Sequence, residues 1–321
     1  MELVEACESR TNTTPDFPFG WYSIARSSEL QIGEVKRVEA FDRELALYRT
    51  RSGQPCLQDA FCPHLGAHLG VQGRVVGESL RCPFHGWRYD TSGKCVEIPY
   101  CDEIPDRASV RVWPVAEKHG KIWIWFHPEN SAPQWELPDI PEFDDGNWTT
   151  PRFAEFDVPA HIQDIAENSC DPVHFQYVHK MPDVPPSEVT IDDDGRVLHL
   201  HSDGRNADIP NKLHAMVFSP GHALVRTSYG PGAEMLVYNS AQPIDRHRTR
   251  MRWSLIVRKE IEDLAGDDVM EGIISGLSDD YPIWANKVHK QQPLFCKADT
   301  TLVQFRKWVR QFYIRPQHRE G

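Results

Sequence analysis

Two short loops that each carry one cysteine and one histidine constrain the fold of this chain more than any other feature. Cys62 and His64 form a C-x-H pair, Cys82 and His85 form a C-x-x-H pair, and seventeen residues separate the two pairs. Proline and glycine flank both pairs, so each pair is expected on a tight loop that can bend around a metal centre. Two such loops facing each other would form a cage of two thiolates and two imidazoles.

This set of four donors fits two kinds of metal centre. One is a structural zinc ion, and the other is a Rieske [2Fe-2S] cluster, in which two histidines replace two cysteines on one iron. A zinc site more usually pairs cysteine with cysteine and histidine with histidine along the chain. Because each loop here supplies one thiolate and one imidazole, the spacing favours the iron-sulfur cluster.

The sequence around the four donors resembles the Rieske domain of ring-hydroxylating and related oxygenases. The motif C-P-H-L-G-A-H is followed by C-P-F-H-G-W-R-Y, and the resemblance covers roughly residues 20–126. Respiratory-chain Rieske proteins carry an extra cysteine in each loop, whereas Ala67 and Phe84 occupy those positions here. His68 is either a further ligand or, as we favour, a polar or capping residue beside the cluster. The resemblance implies that the cluster ligands are Cys62, His64, Cys82 and His85.

A second group of metal-binding residue types lies in the stretch ENSCDPVHFQYVH, residues 167–179. On a regular helix Asp171 and His174 share a face, but His179 is rotated from His174 by about 140°. One proline lies inside the stretch and another follows it, so a distorted or ending helix could bring both imidazoles to one metal. Two histidines and a carboxylate form the facial triad of non-haem Fe(II) oxygenases. An ordinary polar helix face fits this stretch alone equally well, and Glu167 is expected to be an acid on the helix surface.

The pattern E-N-x-x-D-x-x-H-F-x-x-x-H resembles the mononuclear iron motif of Rieske oxygenases. The resemblance implies that His174 and His179 bind a mononuclear Fe(II), that Asp171 bridges the two metal centres, and that Asn168 lies close to the iron. It also implies a head-to-tail homotrimer in which the cluster serving one iron belongs to the neighbouring chain. His85 of one chain would then hydrogen-bond Asp171 of the next, and Asp171 would bond His174.

The third iron ligand is expected to be a downstream aspartate. Spacing alone does not choose among Asp263, Asp267, Asp268, Asp279 and Asp280. The tail SDDYPIWANKVHKQQPLF, followed by FRKWVRQFY, resembles the C-terminal helices of 3-ketosteroid 9α-hydroxylase oxygenase components and of the related cholesterol 7-desaturases. In those proteins the ligand aspartate stands four residues before the tryptophan of an Ile-Trp pair. The resemblance therefore implies Asp280, with Asp279 as the reserve.

The chain shows two regions of different secondary-structure pattern. Strand-like runs with turn residues between them extend from about Phe19 to Phe126, which predicts a small all-β unit. The stretch from Phe126 to Trp148 is rich in proline and acidic residues and is expected to connect two domains. We therefore predict a Rieske domain at 1–135 and a catalytic domain at 136–321. The catalytic domain is expected to be α+β, with an antiparallel sheet and helical stretches near 159–178, 267–290 and 301–313.

Composition restricts the partners and the location of the protein. A formal net charge of −12 argues against a nucleic-acid-binding surface. No run of about 18 apolar residues suits a membrane helix and the start shows no signal-peptide pattern, so we predict a cytoplasmic protein without a membrane span. The eight cysteines are scattered along the chain. Free thiols and metal ligands are therefore expected rather than a disulfide framework.

The sequence contains no nucleotide-binding motif beside the metal motifs, because it has no P-loop and no G-x-G-x-x-G after a predicted strand. We therefore expect a separate NAD(P)H-dependent reductase, with or without a ferredoxin, to supply electrons. The predicted function is that of the terminal oxygenase of a Rieske monooxygenase, which uses O₂ to hydroxylate a steroid-like polycyclic substrate. Pocket residues are expected among Met216, Phe218, Met235, Leu236, Tyr238 and Trp253, although most of these would serve the core.

Other functions are compatible with the same motifs. Within the enzyme class, the substrate could be an aromatic compound or a quaternary amine, and hydroxylation of a methyl group would make the enzyme an O-demethylase. Outside the class, the chain could be an electron carrier of ferredoxin type, or both sites could bind zinc in a structural or regulatory module. About 185 residues beyond the β unit, with their own histidines and aspartates, count against a simple electron carrier.

Overall fold

Short antiparallel strands form where β-branched and aromatic residues alternate between turns. The computed structural model describes residues 16–206, 209–262, 271–272, 275–276 and 279–314. Within these residues the chain divides into two compact units. The first is Gly20–Leu137, and the second joins residues 16–19 to Pro138 and the residues that follow it.

The N-terminal unit contains three small antiparallel sheets. Its strands are β1 (Gly20–Arg26), β2 (Val35–Ala40), β3 (Arg43–Arg49), β4 (Pro55–Asp59), β5 (Arg74–Val76), β6 (Ser79–Arg81), β7 (Arg88–Tyr89), β8 (Cys95–Glu97), β9 (Val112–Trp113), β10 (Val115–Lys118) and β11 (Lys121–Phe126). The strands pair in the orders β1-β11-β10, β2-β3-β4-β9 and β5-β6-β7-β8. A 3-10 turn at Ser27–Glu29 follows β1.

The strands expected in this unit are confirmed. The predicted runs EVKRVEAF, RELALYRT, PCLQDAF and KIWIWF correspond to β2, β3, β4 and β11. Every residue of β11 is buried, which suits its central position between β1 and β10. One Cys/His loop follows β4 and the other connects β6 to β7, so each loop is anchored to a sheet.

The C-terminal unit is built on a seven-stranded antiparallel sheet. The strands are β12 (Arg152–Val158), β13 (Ser187–Ile191), β14 (Leu198–Asn206), β15 (Ile209–Ser219), β16 (His222–Ser228), β17 (Glu234–Pro243) and β18 (Thr249–Val257). Their order is β12-β18-β17-β16-β15-β14-β13, so consecutive strands from β13 to β18 pair with each other and β12 closes the far edge. The predicted fold class, α+β with an antiparallel sheet beside an all-β unit, is confirmed.

Short helices accompany this sheet. They are α1 (Ile162–Ala166), α2 (Val173–Tyr177), α3 (Tyr281–Asn286) and α4 (Thr300–Trp308), with 3-10 turns at Pro141–Phe143, Glu167–Cys170 and Val309–Phe312. The helical stretch expected near 301–313 is α4 with its following turn. The stretch expected at 267–290 falls partly outside the described residues and contains α3. In the part of the chain that the structure describes, no helix is both long and apolar enough to cross a membrane.

Candidate metal centres and active site

The two Cys/His loops have the same backbone hydrogen-bond pattern. Cys62 N–H donates to the Ala67 carbonyl at 2.9 Å and Cys82 N–H donates to the Trp87 carbonyl at 2.8 Å. In return Gly66 N–H donates to the Cys62 carbonyl and Gly86 N–H to the Cys82 carbonyl. Both glycines have positive φ, +73° and +77°, which is why glycine closes each loop.

The four predicted cluster ligands lie together, with the two cysteines beside each other and the two histidines beside each other. The thiols of Cys62 and Cys82 interact with each other, and the rings of His64 and His85 have centroids 4.7 Å apart. Both thiols are buried, and burial raises the pKa of Cys82, so this thiol would stay protonated unless a metal bound it. His64 Nδ1 is buried with no hydrogen-bond partner among the described residues. Two thiols beside two imidazoles fit a Rieske cluster, which places two cysteines on one iron and two histidines on the other.

Two neighbouring side chains complete the surroundings of these donors. The Tyr89 hydroxyl, on a fully buried ring, lies 3.1 Å from Cys62 Sγ. His68 Nδ1 accepts from Gly70 N–H at 3.0 Å, and its Nε2 lies 3.2 Å from Glu44 Oε2. Both nitrogens of His68 are thus engaged outside the cluster, in agreement with the favoured interpretation of a capping residue. The seven cysteines within the described residues are all free.

The second motif folds as an interrupted helix, as the prolines predicted. Helix α1 passes into the 3-10 turn Glu167–Cys170, and Asp171 leaves helical geometry with φ −110° and ψ 94°. Pro172 then begins α2 as its N-cap. The break precedes both histidines, but α2 ends at Tyr177. His179 therefore lies beyond the helix, and the regular-helix rotation of His179 away from His174 does not apply.

The structure brings His174, His179 and Asp280 together. Their ligand atoms all lie within 4.8 Å of one another, and the two rings have centroids 5.2 Å apart. His179 Nε2 lies 3.3 Å from Asp280 Oδ2. His179 follows α2, and Asp280 is the N-cap residue of α3. The main-chain N–H of Trp284, whose side chain is buried, donates to the Asp280 carbonyl.

The electrostatics of this group suit a divalent cation. Burial lowers the pKa of His174, against the opposing influence of the Asp280 and Asp171 carboxylates, so its ring is neutral and offers a lone pair. Asp280 is buried, and its Oδ1 has no hydrogen-bond partner within the described part of the chain. A buried, unsatisfied carboxylate oxygen beside two imidazoles is the donor set of a two-histidine, one-carboxylate iron site.

Five aspartates were candidates for the third metal ligand, and the structure describes two of them, Asp279 and Asp280. Asp280 is 7% exposed, whereas Asp279 is an exposed residue of the same turn. Only Asp280 joins the group formed with the two histidines among the residues that the structure describes. The remaining alternatives lie outside the described residues: Asp263, Asp267 and Asp268.

Asp171 contacts His174 differently from the expected side-chain bond. Its Oδ1 accepts from Val173 N–H at 3.0 Å and from His174 N–H at 3.4 Å, which caps α2. The imidazole of His174 instead bonds the main-chain carbonyl of Asp171 through Nδ1. This bond fixes the tautomer and leaves Nε2 as the free donor atom of His174.

The other two polar residues of the motif, Asn168 and Glu167, lie in different environments. Asn168 lines a cavity together with His174, His179 and Asp280, which places it at the predicted site. Glu167 is not a surface acid as expected, because its side chain is only 12% exposed and its Oε1 lies 2.6 Å from the Arg306 guanidinium of α4. Sequence spacing gave no indication of this pair, since the arginine lies on a distant helix.

A cavity of about 710 Å³ adjoins the group of His174, His179 and Asp280. One face of the seven-stranded sheet and the helices beside it form its walls, and along β17 the alternate residues Met235, Val237, Asn239 and Ala241 line it. Of the six predicted pocket residues, Met235 and Trp253 therefore line the cavity. The others do not: Met216, Phe218, Leu236 and Tyr238. On β17 the prediction for Leu236 and Tyr238 was wrong because alternate residues of a strand face opposite sides of the sheet, and these two face away from the cavity.

Two polar atoms in this wall have no protein partner within the described residues. Asn239 Oδ1 and Trp253 Nε1 are both buried and unsatisfied, and the two residues face each other across β17 and β18. They offer one acceptor and one donor to a bound molecule. Asn239 was missed from the sequence, although an amide in the otherwise largely apolar run EMLVYNSA is an unusual residue for a buried strand.

Comparisons with known families match both units. Residues 20–114 match the Rieske [2Fe-2S] domain, and residues 124–313 match the 3-ketosteroid 9alpha-hydroxylase C-terminal domain. The second match lies mostly beyond the N-terminal unit, which ends at Leu137, so a lone electron carrier or a zinc-binding module no longer fits the chain.

Similar proteins of known name are 29–32% identical to this chain. Cholesterol 7-desaturase of Caenorhabditis elegans is 31% identical over 93% of this chain and 77% of its own length. A 3-ketosteroid-9-alpha-monooxygenase oxygenase component of Rhodococcus rhodochrous is 29% identical over 93% and 83% of the two chains. Cholesterol 7-desaturase nvd of Bombyx mori is 32% identical, over 93% and 70%.

Solved structures share the fold at lower identity. Dicamba monooxygenase bound to dicamba superposes with a TM-score of 0.75 at 20% identity, covering 91% of this chain and 96% of that one. An NdmA mutant of Pseudomonas putida CBB5 with theobromine has a TM-score of 0.76 at 23% identity, covering 90% and 89%. From its two matched domains, this chain belongs to the Rieske non-haem iron oxygenases, oxidoreductases that carry a [2Fe-2S] cluster and a mononuclear iron.

Proposed function

We propose that this chain is the terminal oxygenase of a multicomponent Rieske system that acts on a steroid-like polycyclic substrate. The observation that carries the substrate class is the cavity of about 710 Å³ beside His174, His179 and Asp280. This volume lies within the range of about 300–1,000 Å³ found for sites of drug-sized ligands. The relatives named as steroid monooxygenase components and cholesterol desaturases support the same class.

The lining of the cavity supports a flat apolar ligand with few polar groups. Leu200, Val225, Val237, Met251 and Trp253 provide an apolar wall drawn from four strands of the sheet. Burying such surface against a polycyclic hydrocarbon is favourable by about 25 cal/mol for each Å² removed from water. The unpartnered Trp253 Nε1–H would donate to a ketone or hydroxyl oxygen of the substrate, and Asn239 Oδ1 would accept from a hydroxyl. Among the lining residues that the structure describes, an anionic aromatic acid would have no arginine or lysine partner.

We assign the two cofactors to the predicted residues. Cys62, His64, Cys82 and His85 would hold the cluster in a Rieske domain spanning 1–135. His174, His179 and Asp280 would hold the iron in a catalytic domain spanning 136–321. When bound, the iron supplies open coordination positions at which O₂ is activated with electrons from the cluster.

The chain's own residues position these groups. The Asp171 carbonyl holds the ring of His174 so that Nε2 is the ligand atom, and the Asp171 carboxylate caps α2. The apolar wall excludes water around the reacting carbon, and Asn168 lines the same cavity as the metal donors. In a head-to-tail homotrimer, the proposed contact partner of the Asp171 carboxylate is His85 of the neighbouring chain.

The source of electrons is a separate protein in this proposal. A relative named as an oxygenase component belongs to a system of several components. We therefore propose an NAD(P)H-dependent reductase, with or without a ferredoxin, as the partner of the Rieske domain.

The first test is metal analysis of anaerobically purified protein. We expect about three irons and two acid-labile sulfides per chain, with a Rieske EPR signal after reduction. Substrate-dependent O₂ uptake with a surrogate reductase is then compared for a 3-ketosteroid, a sterol, a methoxylated aromatic acid and a quaternary amine. A product that has gained one oxygen atom marks hydroxylation, whereas the loss of two hydrogens marks desaturation.

The outcomes separate the parts of the proposal. Coupled O₂ uptake with a steroid or sterol alone supports the proposed substrate class. Coupled uptake with the aromatic ether or the amine instead would overturn the substrate class but keep the oxygenase. Two irons with two sulfides, and no gain of activity with added Fe(II), would overturn the assignment of the mononuclear site.

A further inference from the structure

Three histidines meet on the seven-stranded sheet outside the proposed iron site. His199 and His201 are two residues apart on β14, so both side chains lie on one face of the sheet. His214 pairs directly opposite His201 on β15. One ring nitrogen from each of the three lies within 4.8 Å of the others.

The geometry within this group is specific. The rings of His201 and His214 are stacked with centroids 4.3 Å apart, and His199 Nδ1 lies 2.9 Å from His214 Nε2. His199 Nε2 lies 2.8 Å from Asp192 Oδ1, so it carries the proton and donates it to the carboxylate. The lone pair of His199 is therefore on Nδ1, the nitrogen that faces the other two rings.

A carboxylate that orients a histidine through its second nitrogen is the usual support of a metal-binding histidine. Three imidazoles with one open position are also the donor set of catalytic zinc sites such as that of carbonic anhydrase. His201 is exposed, so a water molecule can reach the fourth position. We infer that His199, His201 and His214 form a second metal site, for a divalent ion of the zinc type, with Asp192 as its positioning residue.

The charges around the site are compatible with a cation. Arg226 is near His214, but its guanidinium is paired with Glu142 at 2.8 Å.

Another cluster of the same residue types fits a metal less well. His161, Asp164 and His289 also have ligand atoms within 4.8 Å of one another. However, His161 Nδ1 accepts from Gln163 N–H at 3.2 Å, so its Nε2 carries the proton and has no lone pair for a metal. In the three-histidine site the corresponding bond joins two of the proposed ligands, His214 Nε2 and His199 Nδ1, so a bound metal would replace it without breaking a bond to the main chain.

The three-histidine site is separate from the proposed iron site. Leu200 and Ala215, which alternate with its histidines along β14 and β15, line the substrate cavity on the other face of the sheet. An ion bound here would join β14 and β15 to the turn after β13, where Asp192 lies, and would stabilise the edge of the sheet. This inference does not depend on the proposed substrate.

The test is zinc binding to untagged, iron-loaded protein, with iron counted in the same samples. We expect one zinc per chain to remain after gel filtration while the iron content is unchanged. The zinc K-edge absorption spectrum should show three imidazole nitrogens at about 2.0–2.1 Å. Iron does not contribute at this edge, so the cluster and the mononuclear site do not obscure the signal.

Variants assign the zinc to these residues. Asp192→Asn should weaken zinc affinity by about 10–100-fold, and His201→Ala and His214→Gln should weaken it further. His119→Asn, which removes a histidine of the N-terminal unit, should bind zinc like the wild type. An unchanged Rieske EPR signal and circular dichroism spectrum would establish that each variant is folded.

Three results would overturn the inference. They are a wild type that retains no zinc, folded variants that retain as much zinc as the wild type, and zinc that enters only as iron leaves. In each case the three rings would be a stacked, hydrogen-bonded surface array without a metal function.

Discussion

His179 Nε2 lies 3.3 Å from Asp280 Oδ2, although six of the seven strands of the sheet, β13 to β18, lie between the two residues in the chain. His179 follows the interrupted helix, and Asp280 stands at the start of α3, which is anchored by the buried side chain of Trp284. The carboxylate thus reaches the histidines because of tertiary packing. The choice between Asp279 and Asp280 can be tested directly.

Asp280→Asn should remove the mononuclear iron and spare the cluster. An amide is a weaker ligand for Fe(II) than a carboxylate, and the change also removes the negative charge that offsets the metal. We expect iron to fall from about three to about two per chain with sulfide constant at about two, and substrate-dependent O₂ uptake to be lost. Iron and sulfide analysis with EPR of the reduced cluster measures this.

Asp279→Asn is the matched control, because Asp279 is exposed and adjacent in sequence. It should keep about three irons and normal activity. Loss of iron in Asp279→Asn but not in Asp280→Asn would exchange the roles of the two residues.

Asp171 should be required for coupled turnover more than for metal binding. Asp171→Asn keeps an oxygen that can accept from Val173 N–H, and both Asp171→Asn and Asp171→Ala keep the carbonyl that bonds His174. We expect both variants to retain the cluster and most of the iron, and to lose nearly all coupled hydroxylation. Metal analysis and the rate of cluster reoxidation in a single turnover with substrate and O₂ check this.

The comparison of the two variants separates charge from capping. If only Asp171→Ala is impaired, the carboxylate acts as a helix cap. If both variants hydroxylate normally, Asp171 has no bridging role.

The residues that sequence could predict are those whose spacing is set by a single loop or turn. Cys62 and His64 share one loop, and Cys82 and His85 share another, so their chemistry could be predicted from the motif. The prolines likewise predicted a distorted or ending helix in this stretch, and the helix is interrupted at Asp171 and ends at Tyr177.

Positions that depend on packing between distant segments could not be predicted in this way. Only resemblance selected Asp280, because five aspartates were compatible with the spacing. Whether Leu236 and Tyr238 line the cavity depends on which face of β17 lies over it. Both faces of that strand are buried, so the hydrophobic pattern does not distinguish them. The Glu167–Arg306 pair requires α4 to pack against the turn after α1, and no local pattern encodes that contact.

Tyr89→Phe should lower the reduction potential of the cluster. The hydroxyl lies 3.1 Å from Cys62 Sγ, and a hydrogen bond to a ligand sulfur stabilises the more electron-rich reduced state. A neutral hydrogen bond of about 1 kcal/mol corresponds to about 40 mV for a one-electron couple. We therefore expect a decrease of up to about 40 mV by protein-film voltammetry.

Tyr48→Phe is the control for this change. Tyr48 is equally buried in the same core, but its hydroxyl bonds Gln58. Its removal should leave the potential within a few mV of the wild type. Equal shifts in the two variants would assign the effect to core packing and not to the bond with sulfur.

Glu167→Gln should destabilise the C-terminal unit. The carboxylate and the Arg306 guanidinium are 12% and 13% exposed and 2.6 Å apart, so the substitution leaves a buried cation without its anion. Removing one partner of such a pair costs about 3 kcal/mol. Urea unfolding followed by tryptophan fluorescence measures the change in the free energy of unfolding.

Two further variants test whether burial is the cause. Asp157→Asn, in the more exposed pair with Arg250, should have a clearly smaller effect. Glu167→Gln combined with Arg306→Met should recover part of the lost stability, because the buried guanidinium that lost its partner is then removed as well. Additive losses in the double variant would contradict the ion-pair explanation.

His161 should make the protein less stable as the pH falls below neutrality. Burial is the main cause that lowers its pKa to about 4, and His289 and His247 act in the same direction while Asp164 opposes them. An unfolded histidine has a pKa of about 6.5, so between about pH 6.5 and pH 4 the unfolded chain binds the proton and the folded chain does not. The stability contributed by the neutral ring is therefore complete above about pH 6.5 and is lost as the pH falls.

His161→Asn isolates this contribution, since an asparagine oxygen can replace Nδ1 as the acceptor for Gln163 N–H at the start of α1. Between pH 7.5 and pH 5.5 the wild type should lose about 1 kcal/mol more unfolding free energy than the variant. Other titrating groups, including the cluster histidines, affect both proteins equally and cancel in the difference. Parallel stability curves for the two proteins over this range would show that His161 is not the group responsible.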